Sequence, residues 1–316
     1  MPKNILPKIF IDTAKRCGFN TILMQKISTP HLYVESNKII SVQKIPGLRI
    51  QAESFREGVR LKLVVKKGVK IKEPIFFCFG ISKEKGKQMI LPEIILEEKA
   101  EAKILAHCTF PRAKNVFHQM KAKIKLEKNA KLIYQEKHYH GQNFGAEVLP
   151  DFKILIGSGA TFENEFIIDK GSIGKLKVNL EAELGKNAFC EILSKIIGKG
   201  EKDNIEIYDK VLLKKENSRS LIKLRGVVFN GGKMIFKGET EALAKNTRGH
   251  IDCQEIIVGK RSIAESIPIV KVNHPEARVT HEASIGKINQ KELETLMTRG
   301  LSEKEAIDFI VKGIIK

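Results

Sequence analysis

Residues 120–139 read MKAKIKLEKNAKLIYQEKHY. Apolar residues alternate with polar ones on both sides of Lys128-Asn129-Ala130, so two strands with one apolar face each meet at a tight turn. The same design recurs. Glu98-Lys99-Ala100 precedes EAKILAHC, Ser158-Gly159-Ala160 precedes TFENEFIID, and Lys186-Asn187-Ala188 precedes FCEILSKII. The strands DFKILIG and KLKVNLEAEL lead into the last two turns. The Ala-to-Ala intervals are 30, 30 and 28 residues, and Gly231-Gly232 restarts a similar unit, KMIFKGETEA. A unit of strand, turn, strand and connection at about 30 residues is the mark of a stacked repeat. It fits a β-solenoid with parallel strands in register, and equally a chain of antiparallel hairpins. Periodicity alone leaves both open.

Outside this zone the period changes. Residues 1–26 can form a short amphipathic helix, with Ile5, Ile9, Ala14 and Cys17 near helical spacing and Gly18 as its stop. At the other end, Asn289 with Glu292, and Ser302 with Glu305, are helix-start pairs. Gly300 and Gly313 follow the two apolar stripes, predicting helices over 289–299 and 302–312. The chain divides into an N-terminal helix and irregular or β region (1–90), a β core (91–287) and a C-terminal helical hairpin (288–316).

The composition excludes several classes. The 316 residues are 42% hydrophobic and 29% charged, enough for a substantial core. No apolar run approaches the ~20 residues of a membrane helix. The N-terminus lacks the pattern of a signal peptide, and five cysteines without a close pair do not build a disulfide framework. A reducing, cytoplasmic setting is expected. The net charge of +19 favours a polyanionic partner or reflects a lysine-rich surface. Residues 281–316 hold six basic and six acidic residues, so the excess lies upstream.

Few motifs carry chemistry. Gly80-Ile-Ser-Lys-Glu-Lys-Gly86-Lys87-Gln88 has five residues between its glycines and Gln where a P-loop needs Ser or Thr for Mg²⁺, so ATP hydrolysis by this chain is not expected. There is no C-x-x-C and no H-E-x-x-H. His138 and His140 share one face of a strand, a spacing able to bind metal, whereas His107 and Cys108 would point to opposite faces. The strongest constellation is Cys253 with His281 and Glu282: a thiolate, an imidazole and a carboxylate suited to iron or an iron–sulfur cluster. Cys253 and His281 are 28 residues apart, close to one repeat, which would set them on adjacent coils. The competing description is a buried structural thiol and a solvated strand end.

The stretch KVNHPEARVTHEASIGKINQKELETLMTRGLSEKEAIDFIVKG (271–313) resembles the C-terminal signature of the SufB/SufD iron–sulfur cluster assembly proteins. Asn217-Ser218-Arg219-Ser220, Arg225-Gly226, Gly238 and His250-x-x-Cys253 extend the likeness, which is nearer to SufB. Thr280 stands where some SufB chains carry a carboxylate, and the region before residue 90 is shorter than usual in the family. The resemblance implies a right-handed parallel β-helix and a non-enzymatic scaffold. Cys253 would accept persulfide sulfur and, with His281 and Glu282, hold a transient 2Fe-2S or 4Fe-4S cluster. His250, Cys108 and Cys190 are secondary candidates. The implied partners are a SufC-type ABC ATPase, a persulfide donor, apo iron–sulfur proteins, and a second copy or a SufD-like protomer in a dimer. No membrane is involved in this expectation. The alternative is a β-solenoid that binds or cleaves polyanions, acidic polysaccharide or nucleic acid.

Overall fold

The computed structural model describes residues 6–315. Two helices, α1 (Lys8–Arg16) and α2 (Thr21–Gln25), precede nineteen strands. These are β1 (His31–Glu35), β2 (Lys38–Gln43), β3 (Leu48–Phe55), β4 (Gly58–Val65), β5 (Ile75–Gly80), β6 (Lys85–Leu96) and β7 (Glu101–Thr109). Then come β8 (Asn115–Leu126), β9 (Lys131–Tyr139), β10 (Ala146–Ile156), β11 (Thr161–Ile168), β12 (Lys175–Leu184) and β13 (Phe189–Gly198). The last are β14 (Asn204–Leu213), β15 (Arg219–Phe229), β16 (Lys233–Ala242), β17 (Arg248–Val258), β18 (Ile263–Val272) and β19 (Arg278–Lys287). Helices α3 (Gln290–Thr298) and α4 (Glu303–Ile315) close the chain.

From β4 onward, even strands stack in one sheet and odd strands in the other, each parallel to the strand one coil away. The result is a two-sheet solenoid of about eight turns. Among the described residues antiparallel pairing is confined to the first coil, between β1 and β2 and between β3 and β4. Hairpins therefore give way to parallel stacking, the arrangement that buries one face of every alternating strand. On β9, for example, Leu132, Tyr134, Glu136 and His138 face the interior while Lys131, Ile133, Gln135 and Lys137 face outward.

The repeated turn works as a corner. Lys99, Asn129, Gly159 and Asn187 all have φ between +56° and +68°. Each donates its N–H to a carbonyl of the next coil's turn: Lys99 to Lys128, Asn129 to Ser158, Gly159 to Lys186 and Asn187 to Glu216. The residue after it (Ala100, Ala130, Ala160 and Ala188) points inward and is fully buried, where only a small side chain fits between stacked corners. Ser218 and Thr247 continue the column.

The two ends differ. At the N-terminal end, α1 and α2 cover the outer face of β1 and β5, packing Leu6, Phe10, Ala14 and Met24 on Tyr33, Phe76 and Cys78. The predicted helix is thus two, broken at Gly18 (φ +79°), and Ile5 lies outside the described residues. At the other end, Asn289 caps α3 by accepting from Lys291 and Glu292 N–H, and Ser302 with Glu305 forms a reciprocal box before α4. Helix α4 runs through Gly313 to Ile315. The helical hairpin does not close the end of the solenoid. Instead α4 lies along the outer face of the odd-strand sheet, where Asp308, Val311, Lys312 and Ile315 share a groove with Ile167, Ile197 and Phe229. Among the described residues no strand pairs with the outer edges of β18 and β19, and Val272 and Ile285 there stay exposed. Among the described residues no helix is long and apolar enough to cross a membrane.

Candidate functional site

Cys253 sits one strand in from this open end. Its side chain faces the interior of β17 and is buried. Its register partner on β19 is Ala283; His281 stands beside Ile251, and Glu282 beside Asp252. Strand alternation then puts His281 on the inward face with Cys253, one diagonal step away, and Glu282 on the outward face. Both are exposed, because β19 is the edge strand. His250 also points outward, its Nδ1 2.7 Å from Thr280 Oγ1.

A carboxylate not foreseen from the sequence lies closer. Glu255 follows Cys253 by two residues, so both share the inward face of β17. It is buried, and neither carboxylate oxygen has a hydrogen-bond partner among the described residues. Burial pushes its carboxyl up to about 7, against the lowering effect of the Arg225 charge. Burial likewise raises the Cys253 thiol to about 11; Ser266 and Arg225 oppose this, and Glu255 and Asp252 add to it. The cation acting on the thiol is Arg225. Arg225 is itself held by Asp252 through a paired guanidinium–carboxylate contact. The signal for Glu255 was the i, i+2 step of a strand.

The other thiols are all buried. Cys190 faces the interior, and burial with the nearby Asp209 and Glu191 charges raises its pKa. Cys78 lies on the outer face under the helices, 3.7 Å from His107 Nδ1. Cys108 and His107 do point to opposite faces: Cys108 looks inward, toward Glu136. His138 and His140 share the inner face, with 3.1 Å between His138 Nδ1 and His140 Nε2. Cys108, Glu136 and His138 bring three ligand atoms within 4.8 Å of one another, all of them buried. Gly80 ends β5 and the following turn runs straight into β6, so no helix stands ready for a phosphate.

A parallel solenoid whose interior carries thiols, imidazoles and carboxylates is suited to sulfur and to borderline metal ions. Comparison with known proteins agrees. Residues 80–314 match the SufBD core domain of the SUF system for FeS cluster assembly. An iron-sulfur cluster assembly SufBD family protein of Methanocaldococcus jannaschii is 41% identical over 286 residues, covering 90% of each chain. One from Pyrococcus horikoshii is 29% identical over 306 residues, 96% of this chain and 92% of the relative. One from Staphylococcus aureus is 27% identical over 268 residues, 80% of this chain but 54% of that longer relative. The chain belongs to the SufBD family, and its role is in iron–sulfur cluster assembly.

Proposed function

We propose that this chain is a scaffold on which a nascent 2Fe-2S or 4Fe-4S cluster is built, in the manner of SufB. The observation that supports it best is the placement of Cys253 one strand from an open edge, with Glu255 on its face and His281 on the rim. In sulfur acceptance the Cys253 thiolate attacks the outer sulfur of a donor persulfide. The donor S–S bond breaks, the donor thiolate leaves, and Cys253 holds the persulfide. Reduction of that sulfur to sulfide takes two electrons from an external reductant. His281 and Glu255 face inward to bind iron, while Glu282 faces outward beside Asp252. An edge strand is where a second protomer adds its own ligands, so a cluster held between two copies, or with a SufD-like protomer, uses both faces.

A SufC-type ABC ATPase is the proposed partner, docking through the helical hairpin, where Met297 and Phe309 are exposed. Persulfide donor and apo-protein acceptors complete the cycle, in the cytoplasm. ATP hydrolysis then belongs to the ATPase and not to this chain. The test is anaerobic reconstitution with iron and sulfide, read by absorption. Cys253→Ala should lose the cluster, and retention of full iron and sulfide would overturn the assignment. Deletion of residues 289–316 should abolish co-purification with the ATPase while the solenoid still folds.

A further inference from the structure

We propose that Cys108, Glu136 and His138 form a mononuclear site, inside the solenoid, for a borderline divalent cation of the Fe²⁺ or Zn²⁺ class. The three residues come from neighbouring strands. Cys108 on β7 is the register partner of His138 on β9, and Glu136 is two residues before His138 on the same inward face. All three are fully buried. Thiolate, carboxylate and imidazole are the donor set such ions take.

The distances suit a metal. Cys108 Sγ lies 3.5 Å from Glu136 Oε1. A tetrahedral ion with bonds of about 2.3 Å to sulfur and about 2.0 Å to oxygen sets these atoms about 3.5 Å apart. His138 Nε2 lies 2.5 Å from the same oxygen, and would open to about 3.3 Å around an ion.

Hydrogen-bond logic supplies the second argument. His140 Nδ1 is 2.8 Å from the Ile173 carbonyl, which can only accept, so that nitrogen carries a hydrogen. In the neutral ring Nε2 of His140 then accepts, and the group 3.1 Å away, His138 Nδ1, donates. The remaining lone pair of His138, on Nε2, is thereby aimed at Glu136 Oε1. Two acceptors at that distance need a positive centre between them: a proton or a metal ion. A ligating histidine whose other nitrogen donates to a fixed acceptor is the usual outer support of a metal site.

On the opposing sheet, His118 of β8 is fully buried, its Nδ1 is 3.1 Å from Gln88 Oε1, and its Nε2 has no partner among the described residues. Its ring centroid is 6.4 Å from that of His138, so it stands beside the three-residue cluster without belonging to it. Metal entry releases two protons, one from the thiol and one from between His138 and Glu136. The thiolate and carboxylate then neutralise the dication. Four strand spacings, roughly 19 Å, separate this site from Cys253 on β17, so the inference does not rest on the scaffold reading.

The test uses Co²⁺ as the spectroscopic probe, supplied during expression so that the site fills as the chain folds. The Cys253→Ala chain leaves the proposed ligands untouched. It should carry one Co²⁺ per chain after gel filtration, with a thiolate-to-cobalt charge-transfer band. Cys108→Ser should lose that band, and Glu136→Gln and His138→Gln should retain at least tenfold less cobalt. A Cys253→Ala chain without a thiolate band would overturn the proposal, and so would a band that survives in Cys108→Ser. Loss of cluster reconstitution in Cys253→Ala alongside retained cobalt would show the two sites to be separate.

Discussion

Cys253 and Ala283 are register partners across β17 and β19, both on the inward side of the odd-strand sheet. The imidazole of His281 starts one diagonal step farther away, about 8 Å between Cβ atoms against about 5 Å for directly adjacent positions. If His281 serves iron bound at Cys253, an imidazole at position 283 is as well placed or better. His281→Ala should lower iron retained after anaerobic reconstitution, and His281→Ala with Ala283→His should restore most of it. A double variant as poor in iron as the single one would show that His281 does not act through proximity to Cys253.

The corner turns give a stability prediction with a sign change. Lys99 occupies the left-handed position with φ +59°, which costs an L residue roughly 1 kcal/mol that glycine does not incur. Its ion pair to Glu98 is long, 3.7 Å, and exposed, so little is lost with the side chain. Lys99→Gly should stabilise the protein by about 0.5–1 kcal/mol. Gly159 takes the same position in another coil at φ +68°, and a Cβ there would meet Asn129 Oδ1 at 2.2 Å. Gly159→Ala should therefore destabilise, by about 1–2 kcal/mol. Paired thermal melts decide; a shift of the same sign in both would remove the left-handed corner as the cause.

Much of this corner was legible in the chain. Alternation around Lys128-Asn129-Ala130 marks the strands and the turn, and the helix caps at Asn289 and Ser302 fall where their side chains suggest. What the pattern could not supply was local register. The 28-residue step from Cys253 to His281 looks like one repeat, yet the pairing in that coil advances by 30, from Cys253 to Ala283. Connection lengths vary from coil to coil, so a mean period misplaces a ligand by two positions. The same rule with the local step puts Cys108 beside His138. Parallel stacking was also beyond periodicity, because hairpins and coils bury the same alternate residues. The course of α4 over the sheet face depends on outward apolar residues such as Ile167, Ile197 and Phe229, scattered over three strands.

The first coil offers a steric test. Gly58 opens β4 and pairs with Met89 of β6. A Cβ added there would lie 1.7 Å from the Met89 carbonyl oxygen, a backbone atom that cannot rotate away. Gly58→Ala should force β4 and β6 apart at this rung and cost roughly 2–3 kcal/mol. The loss should be accompanied by faster amide exchange at Met89, whose N–H donates to Glu57. Normal protection at Met89 in the variant would refute the steric account.

Asp209 gives the pH dependence. It faces the interior of β14 fully buried; Ser194 donates to one carboxylate oxygen at 3.4 Å, and the other has no partner among the described residues. Burial raises its carboxyl from 3.8 to about 7. The unfolded chain therefore loses this proton from about pH 4 upward while the native chain keeps it until about pH 7. The unfolded state gains over that interval, so native stability falls as pH rises and levels off above about 7. Asn in place of Asp removes the titration and keeps the shape. Asp209→Asn should be more stable than the parent by roughly 4 kcal/mol at pH 8 and by less than half of that at pH 5, at about 1.36 kcal/mol per unit. Urea unfolding midpoints of both chains at the two pH values measure this. An advantage for Asn that does not grow between pH 5 and pH 8 would show that Asp209 is not the buried acid described here.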